Sequence, residues 1–155
     1  MGYGDLRKGR RCIEGQEYLV TTVCSERRPV FSNATNMRLF VAEIRRLETQ
    51  GDVDWLAWIV MPNHFHGLLR LKGNRCLPDI MRLLKGRSAR ALGGPTWQEG
   101  FHDHALRKEE DRCAVARYLL ANPVRAGIAV SLRDYPYWHC TWLAHGDNPD
   151  LFLEP

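Results

Sequence analysis

The sequence predicts an α+β fold on the split βαβ, ferredoxin-like plan: an antiparallel sheet with two helices on one face, plus an added C-terminal helix. Two observations carry this. Apolar periodicity switches in the order strand, helix, strand, strand, helix, strand, helix. The central pair of strands is a single stretch, WLAWIVMPNHFHGLLRL at 55–71, whose apolar runs flank Met61, Pro62 and Asn63. Pro62 cannot sit inside a central ladder and Asn63 suits a left-handed turn, so the stretch reads as a β-hairpin.

The elements follow in order. Residues 17–24, EYLVTTVC, are β-branched and aromatic without a breaker and form the first strand; Ser25 to Ser32 turns the chain. From Thr35 to Gln50, Met37, Phe40, Val41, Ile44 and Leu47 recur at helical spacing, with Asn33 or Thr35 to cap the start and Gly51 to stop it. The hairpin follows at 53–71. Pro78 to Leu92 repeats the helical pattern through Ile80, Leu83 and Leu84, and WQEGFHDHALR at 97–107 reads as a strand. Lys108 to Ala121 is expected as a helix with Glu109, Glu110 and Asp111 in its first turn, ended by Asn122-Pro123. Tyr135, Tyr137, Trp138 and Trp142 read as packing residues, with stacking on bases as the alternative, and residues 147–155 as an acidic appendage.

Length and composition point to one domain over residues 1–155, with a basic arm at 1–15. The chain is 45% hydrophobic and 26% charged, which excludes wholesale disorder. Five cysteines without a Cys-x-x-Cys argue against a disulfide framework or a zinc ribbon, and lead to the expectation of a reducing, cytoplasmic setting. The longest uninterrupted apolar run, Trp55 to Met61, is too short to span a bilayer, so no membrane partner is expected. Twenty-two Lys and Arg against eighteen Asp and Glu give a net charge of +4, which permits a nucleic-acid partner without requiring one.

Distribution says more than the total. Arg7, Lys8, Arg10 and Arg11 crowd the arm, and Arg82, Lys85, Arg87 and Arg90 make the second helix basic, with no acid between Met81 and Gln98. Each group is a candidate for gripping phosphates, against the plainer reading of a solvated surface.

The chemistry centres on the hairpin. Successive strand side chains alternate between faces, so His64 and His66 share one face while Phe65, Leu69 and Leu71 line the other. Two such imidazoles stand roughly 7 Å apart at the backbone, a span that one divalent ion can bridge with bonds near 2.1 Å. The second His-x-His, His102 and His104, competes less well, because its central residue Asp103 would turn a carboxylate toward the core. His102, Asp103 and His104 are instead candidates for hydrogen-bonding a ligand or holding the site in place from behind. Tyr118 and Asn122 form an (i, i+4) pair that can bring a phenol and an amide oxygen to one spot.

The segments EYLVTTVCSERRPVF, WIVMPNHFHGLLRL, DIMRLLKGRSAR, WQEGFHDHALR and RYLLANPVRAGIA, in this order, resemble the REP-associated tyrosine transposases, single-tyrosine relatives of the HUH transposases. The resemblance runs from about residue 16 to 142. It implies that His64 and His66 are metal ligands, with Asn122 as a polar third ligand and Tyr118 as the nucleophile. It further implies Mg²⁺ or Mn²⁺ as cofactor, and single-stranded DNA folded into palindromic hairpins as partner. The expected reaction is metal-dependent cleavage and rejoining through a 5′-phosphotyrosine, by a monomer or homodimer. The short connection Ala91 to Pro95 departs from the longer basic loop of many relatives. Two other readings stay open: a non-catalytic nucleic-acid binder on the same fold, and a phosphodiesterase that uses an activated water.

Overall fold

The computed structural model describes residues 12–154; the arm cations Arg7, Lys8, Arg10 and Arg11 lie outside them. Five strands, β1 (Glu17–Val23), β2 (Val53–Met61), β3 (His64–Leu71), β4 (His102–Ala105) and β5 (Trp138–Cys140), pair antiparallel in the order β4-β1-β3-β2-β5. The first four give the expected split βαβ plan. The fifth strand was not foreseen: its three residues sit in the aromatic stretch read as a packing or base-stacking cluster.

One face carries α1 (Ala34–Thr49) and α2 (Leu77–Ala91). Phe40, Ile44 and Leu47 of α1 and Leu77, Ile80, Met81 and Leu84 of α2 are buried against Tyr18, Val20, Trp55, Phe65 and Leu69. Phe65 stands edge-on to Phe40 at 5.2 Å and to Trp55 at 5.8 Å, and the Trp55 indole N–H donates to the Ile44 carbonyl at 2.9 Å. A bulge between Trp55 and Ala57 lets Trp55 and Trp58 both face these helices despite their odd spacing. Asn33 caps α1, its side chain accepting from the Thr35 and Asn36 amides.

The other face carries α3 (Arg112–Leu120). Ala116, Leu119 and Leu120 pack on Ala57, Ile59, Met61 and Leu68, joined by Leu132 and Tyr135, and the Tyr135 hydroxyl donates to the Val60 carbonyl. After α3 comes a single turn, α4 (Asn122–Arg125), and near the end α5 (Pro149–Leu153). The expected appendage is therefore partly structural. Phe152 and Leu153 pack against this second core, and the Asp150 carboxylate accepts from the Leu132 amide at 2.8 Å.

Four further expectations are corrected. The helix predicted from Lys108 starts at Arg112, because Asp111 is its cap, accepting from the Ala114 amide at 3.1 Å, and Glu110 is engaged by His104 and the Arg107 amide. The strand predicted over 97–107 shortens to β4, with Trp97 joined to Cys24 by an isolated bridge. Asn63 is not left-handed; the turn is held instead by the Cys24 and Phe31 amides donating to the Asn63 and Pro62 carbonyls. Cys12 and Cys76 form a disulfide, Cα–Cα 4.2 Å. Residues 15 and 16 hydrogen-bond to Leu71 at the end of β3, which carries Cys12 to the cap of α2, a proximity that a separation of 64 residues conceals. This bond removes the cysteine argument for a reducing compartment. Among the described residues no helix is long and apolar enough to cross a membrane.

Gly67, between His66 and Leu68 on β3, faces the α1/α2 core. A Cβ there would stand 2.6 Å from the Trp55 ring and 2.9 Å from the Phe65 ring. Both rings are buried. Gly67→Ala should therefore destabilise the fold by about 1–3 kcal/mol, seen as a lower urea midpoint with an unchanged slope; an unchanged midpoint would show that the rings yield freely.

Candidate active site

Strand alternation sets the site. In β3, Phe65, Gly67 and Leu69 face α1 and α2, so His64 and His66 emerge on the α3 face, their ring centroids 4.7 Å apart. Each ring is oriented by a side-chain oxygen. His64 Nδ1 lies 2.7 Å from Asn63 Oδ1, and His66 Nδ1 lies 2.7 Å from Thr21 Oγ1, on the residue opposite it in β1. An amide oxygen only accepts, so His64 Nδ1 carries the hydrogen and its Nε2 lone pair is left for a ligand. The Thr21 hydroxyl can accept in the same way. Metal-binding histidines are held by this kind of arrangement.

The surroundings keep both rings neutral. Burial, and then the charge of Arg27, lower the His64 pKa; burial, then His64 and Arg125, bring that of His66 down to about 4. Arg27 is presented by two consecutive left-handed residues, Glu26 at φ 54° and Arg27 at φ 53°, a conformation costly for non-glycine side chains.

Tyr118 and Asn122 stand on the same flank of the chain over α3, and Pro123 shapes what happens between them. Proline has no N–H to offer the carbonyl four residues back, and the Asn122 Nδ2 donates to that carbonyl, Leu119 O, at 2.7 Å. That bond engages the amide nitrogen of Asn122 and does not use its Oδ1. Tyr118 is 67% exposed, with the Arg125 guanidinium 4.2 Å from its ring centroid.

The start of α3 is pinned by Glu17, 6% exposed on β1, which pairs with Arg70 of β3 at 3.0 Å and with Arg112. A buried ion pair of this kind contributes little net stability, but it fixes where the helix begins. Glu17, Thr21, Asn63 and Arg125 were all missed by sequence reasoning. The signal for Thr21 was available only through strand register.

The structure separates the remaining predicted residues. His102 lies in the same cross-strand row as Thr21 and His66 but two strands from His66, about 10 Å away at the strand spacing. His104 is bonded to Glu110 at 2.9–3.0 Å, and that bond, with the Arg107 amide second, lowers the Glu110 pKa. Asp103 is paired with Val20 and so lies on the α1/α2 side. The basic residues of α2 also lie on that side, across the sheet from the imidazoles. Lys85 donates to the Gln98 carbonyl at 2.8 Å and to that of Gly100, Arg87 to Gln50 at 3.0 Å, and Arg82 pairs with Asp79 at 2.9 Å. Burial lowers the Lys85 pKa, with Glu99 opposing. The uniformly basic helix read from sequence is thus partly engaged within the protein.

The donors fit a divalent ion. Among the described residues no group of three His, Cys, Asp or Glu side chains is placed to hold a metal. The two imidazoles side by side are the nitrogen donors available on this face, and a pair of them leaves positions open for other oxygen donors, solvent or a phosphate oxygen.

The chain is similar in sequence and in fold to known proteins. A curated relative, the REP-associated tyrosine transposase of Escherichia coli K12, is 31% identical over 83 residues, which cover 52% of this chain and 50% of the relative. The chain thus matches about half the length of that protein. A solved structure of a REP-associated tyrosine transposase bound to a REP hairpin superposes with a TM-score of 0.72 and 26% identity, over 81% of this chain and 77% of the other. The family model described as IS200-like transposase matches residues 12–110, a span that contains both imidazoles and ends before Tyr118. Because that match takes in most of the sequence, the chain belongs to the IS200-like transposase family.

Proposed function

We propose that this chain is a single-strand DNA transposase that cleaves and rejoins DNA at short palindromic hairpins of the REP kind, with Tyr118 as nucleophile. The observation that carries the reading is the pair of imidazoles whose Nδ1 atoms are both occupied by side-chain oxygens, leaving two neutral Nε2 donors side by side. The solved relative that carries a REP hairpin supports the substrate class.

His64, His66 and Asn122 would hold Mg²⁺ or Mn²⁺, which when bound supplies relief of charge on the phosphoryl oxygens. The chain's own residues do the rest. A phenol is mostly protonated at neutral pH, so the Tyr118 proton passes to water as attack begins. The phenolic oxygen bonds to phosphorus; the bond from phosphorus to the 3′-oxygen breaks, its electron pair leaving with that oxygen, which takes a proton from water. The products are a 5′-phosphotyrosine and a free 3′-hydroxyl. Because the ester energy is kept, attack by a 3′-hydroxyl on the phosphotyrosine rejoins the strand.

Three expected outcomes follow from this scheme. Tyr118→Phe should keep the fold and hairpin binding while abolishing both cleavage and the covalent adduct, and His64→Ala or His66→Ala should abolish cleavage and weaken Mn²⁺ binding. An adduct peptide containing Tyr135 or Tyr137 would overturn the assignment, and metal-dependent cleavage surviving in Tyr118→Phe would favour an activated water.

Thr21→Val removes the oxygen that orients His66 while keeping the side-chain shape. Calorimetry should then show Mn²⁺ affinity reduced about 10- to 100-fold. Unchanged affinity would assign Thr21 a packing role only.

For the basic helix, Arg82 and Arg90 are the cleaner probes, because Lys85 and Arg87 also hold neighbouring segments. An exposed pair such as Arg82 with Asp79 is weak and leaves the guanidinium available. Replacing both arginines by Ala should flatten the log-log salt dependence of hairpin binding by about 1.4, at roughly 0.7 per phosphate contact. An unaltered slope would show this face to be merely solvated.

A further inference from the structure

Arg125 holds on to Tyr118 twice, through its backbone carbonyl and through its ring. It lies seven positions after Tyr118, two helical turns on, so that both side chains share a flank. The short helix α4 carries it: the Arg125 amide donates to the Ala121 carbonyl at 2.9 Å, and the Ala126 amide to that of Asn122 at 2.9 Å, so the chain resumes helical geometry directly after the break at Pro123. From there the side chain turns back. Its Nη1 donates to the Tyr118 carbonyl at 2.8 Å, and its Cζ lies over the Tyr118 ring, 4.2 Å from the ring centre.

We infer that Arg125 is a positioning residue for the nucleophile: its guanidinium holds the Tyr118 phenol, by stacking and by the bond to the Tyr118 carbonyl, beside the imidazole pair. The inference rests on the reading of Tyr118 as the attacking residue. The physical need is plain in the exposure of the ring. At 67% accessibility, the side chain has few protein neighbours to choose its rotamer. A stacked cation restricts both the ring and the backbone beneath it. Arginine suits the task because its plane can cover a ring while its edge N–H groups bond an oxygen, whereas lysine offers only a point charge.

The test uses the full chain, a single-stranded REP-like hairpin and Mn²⁺, with adduct formation followed in single turnovers at saturating DNA. Arg125→Ala should bind the hairpin and melt as the parent does, yet form adduct about a hundredfold more slowly, the scale expected when a reacting group loses its placement. Guanidinium ion added well below denaturing concentrations should restore part of that rate, which repair of a merely destabilised fold would not explain. Arg125→Lys should fall between the two, keeping the charge but not the plane. An Arg125→Ala rate equal to the parent's would overturn the inference. So would a loss matched by equal losses in binding and melting temperature and not relieved by guanidinium. Tyr118→Phe run alongside separates the two levels: an adduct persisting there defeats the tyrosine reading itself, whereas adduct lost in Tyr118→Phe but normal in Arg125→Ala defeats only the role given to Arg125.

Discussion

Strand β3 is hydrogen-bonded along both edges, to β1 on one side and β2 on the other, and the rest of the molecule depends on that double constraint. A one-residue slip would send Phe65 out of the α1/α2 core and bury the imidazoles in its place, and two flanking registers would have to slip together to permit it. The aromatic cluster of Phe40, Trp55 and Phe65 therefore fixes more than stability. By holding Phe65 on one face it forces His64 and His66 onto the other. Thr21 arrives opposite His66 through the same register, so the fold and the orientation of that imidazole have one cause.

A second constraint acts on the helix across that face. Glu17 fixes the start of α3 through Arg112 and is itself braced by Arg70 of β3. Pro123 shapes the other end. There the Asn122 and Arg125 side chains donate to the Leu119 and Tyr118 carbonyls. Groups expected to serve chemistry thus also serve as helix terminators, and their direction follows from the carbonyls they satisfy.

Local signals made most of this legible in the sequence. Periodicities of 2 and 3.6 placed four strands and three main helices, and the Pro62-Asn63 pair placed the turn between β2 and β3. The alternation through His64, Phe65 and His66 gave the faces correctly. What failed was what depends on contacts distant in the chain. The pairing of Cys12 with Cys76 needed the path of residues 15 and 16 along Leu71, and the capture of Lys85 by the Gln98 and Gly100 carbonyls needed the loop folded against α2. The start of α3 was misread for a related reason. Acidic residues suit a first helical turn, but Glu110 has partners in His104 and the Arg107 amide that only the folded chain supplies. Arg125 was visible as a letter in an Asn-Pro-Val-Arg run, yet its meaning lay in a stacking contact seven residues back.

The basic helix and the imidazole pair lie on opposite faces of the sheet. Five strands at the usual spacing make a barrier roughly 19 Å across. A molecule in contact with both faces has to pass around the margin of the sheet, and one too short to do so meets only one of them. On the function proposed above, the sheet would work as a ruler: the length of the DNA, independently of its base sequence, would decide whether both faces can be engaged by the same molecule.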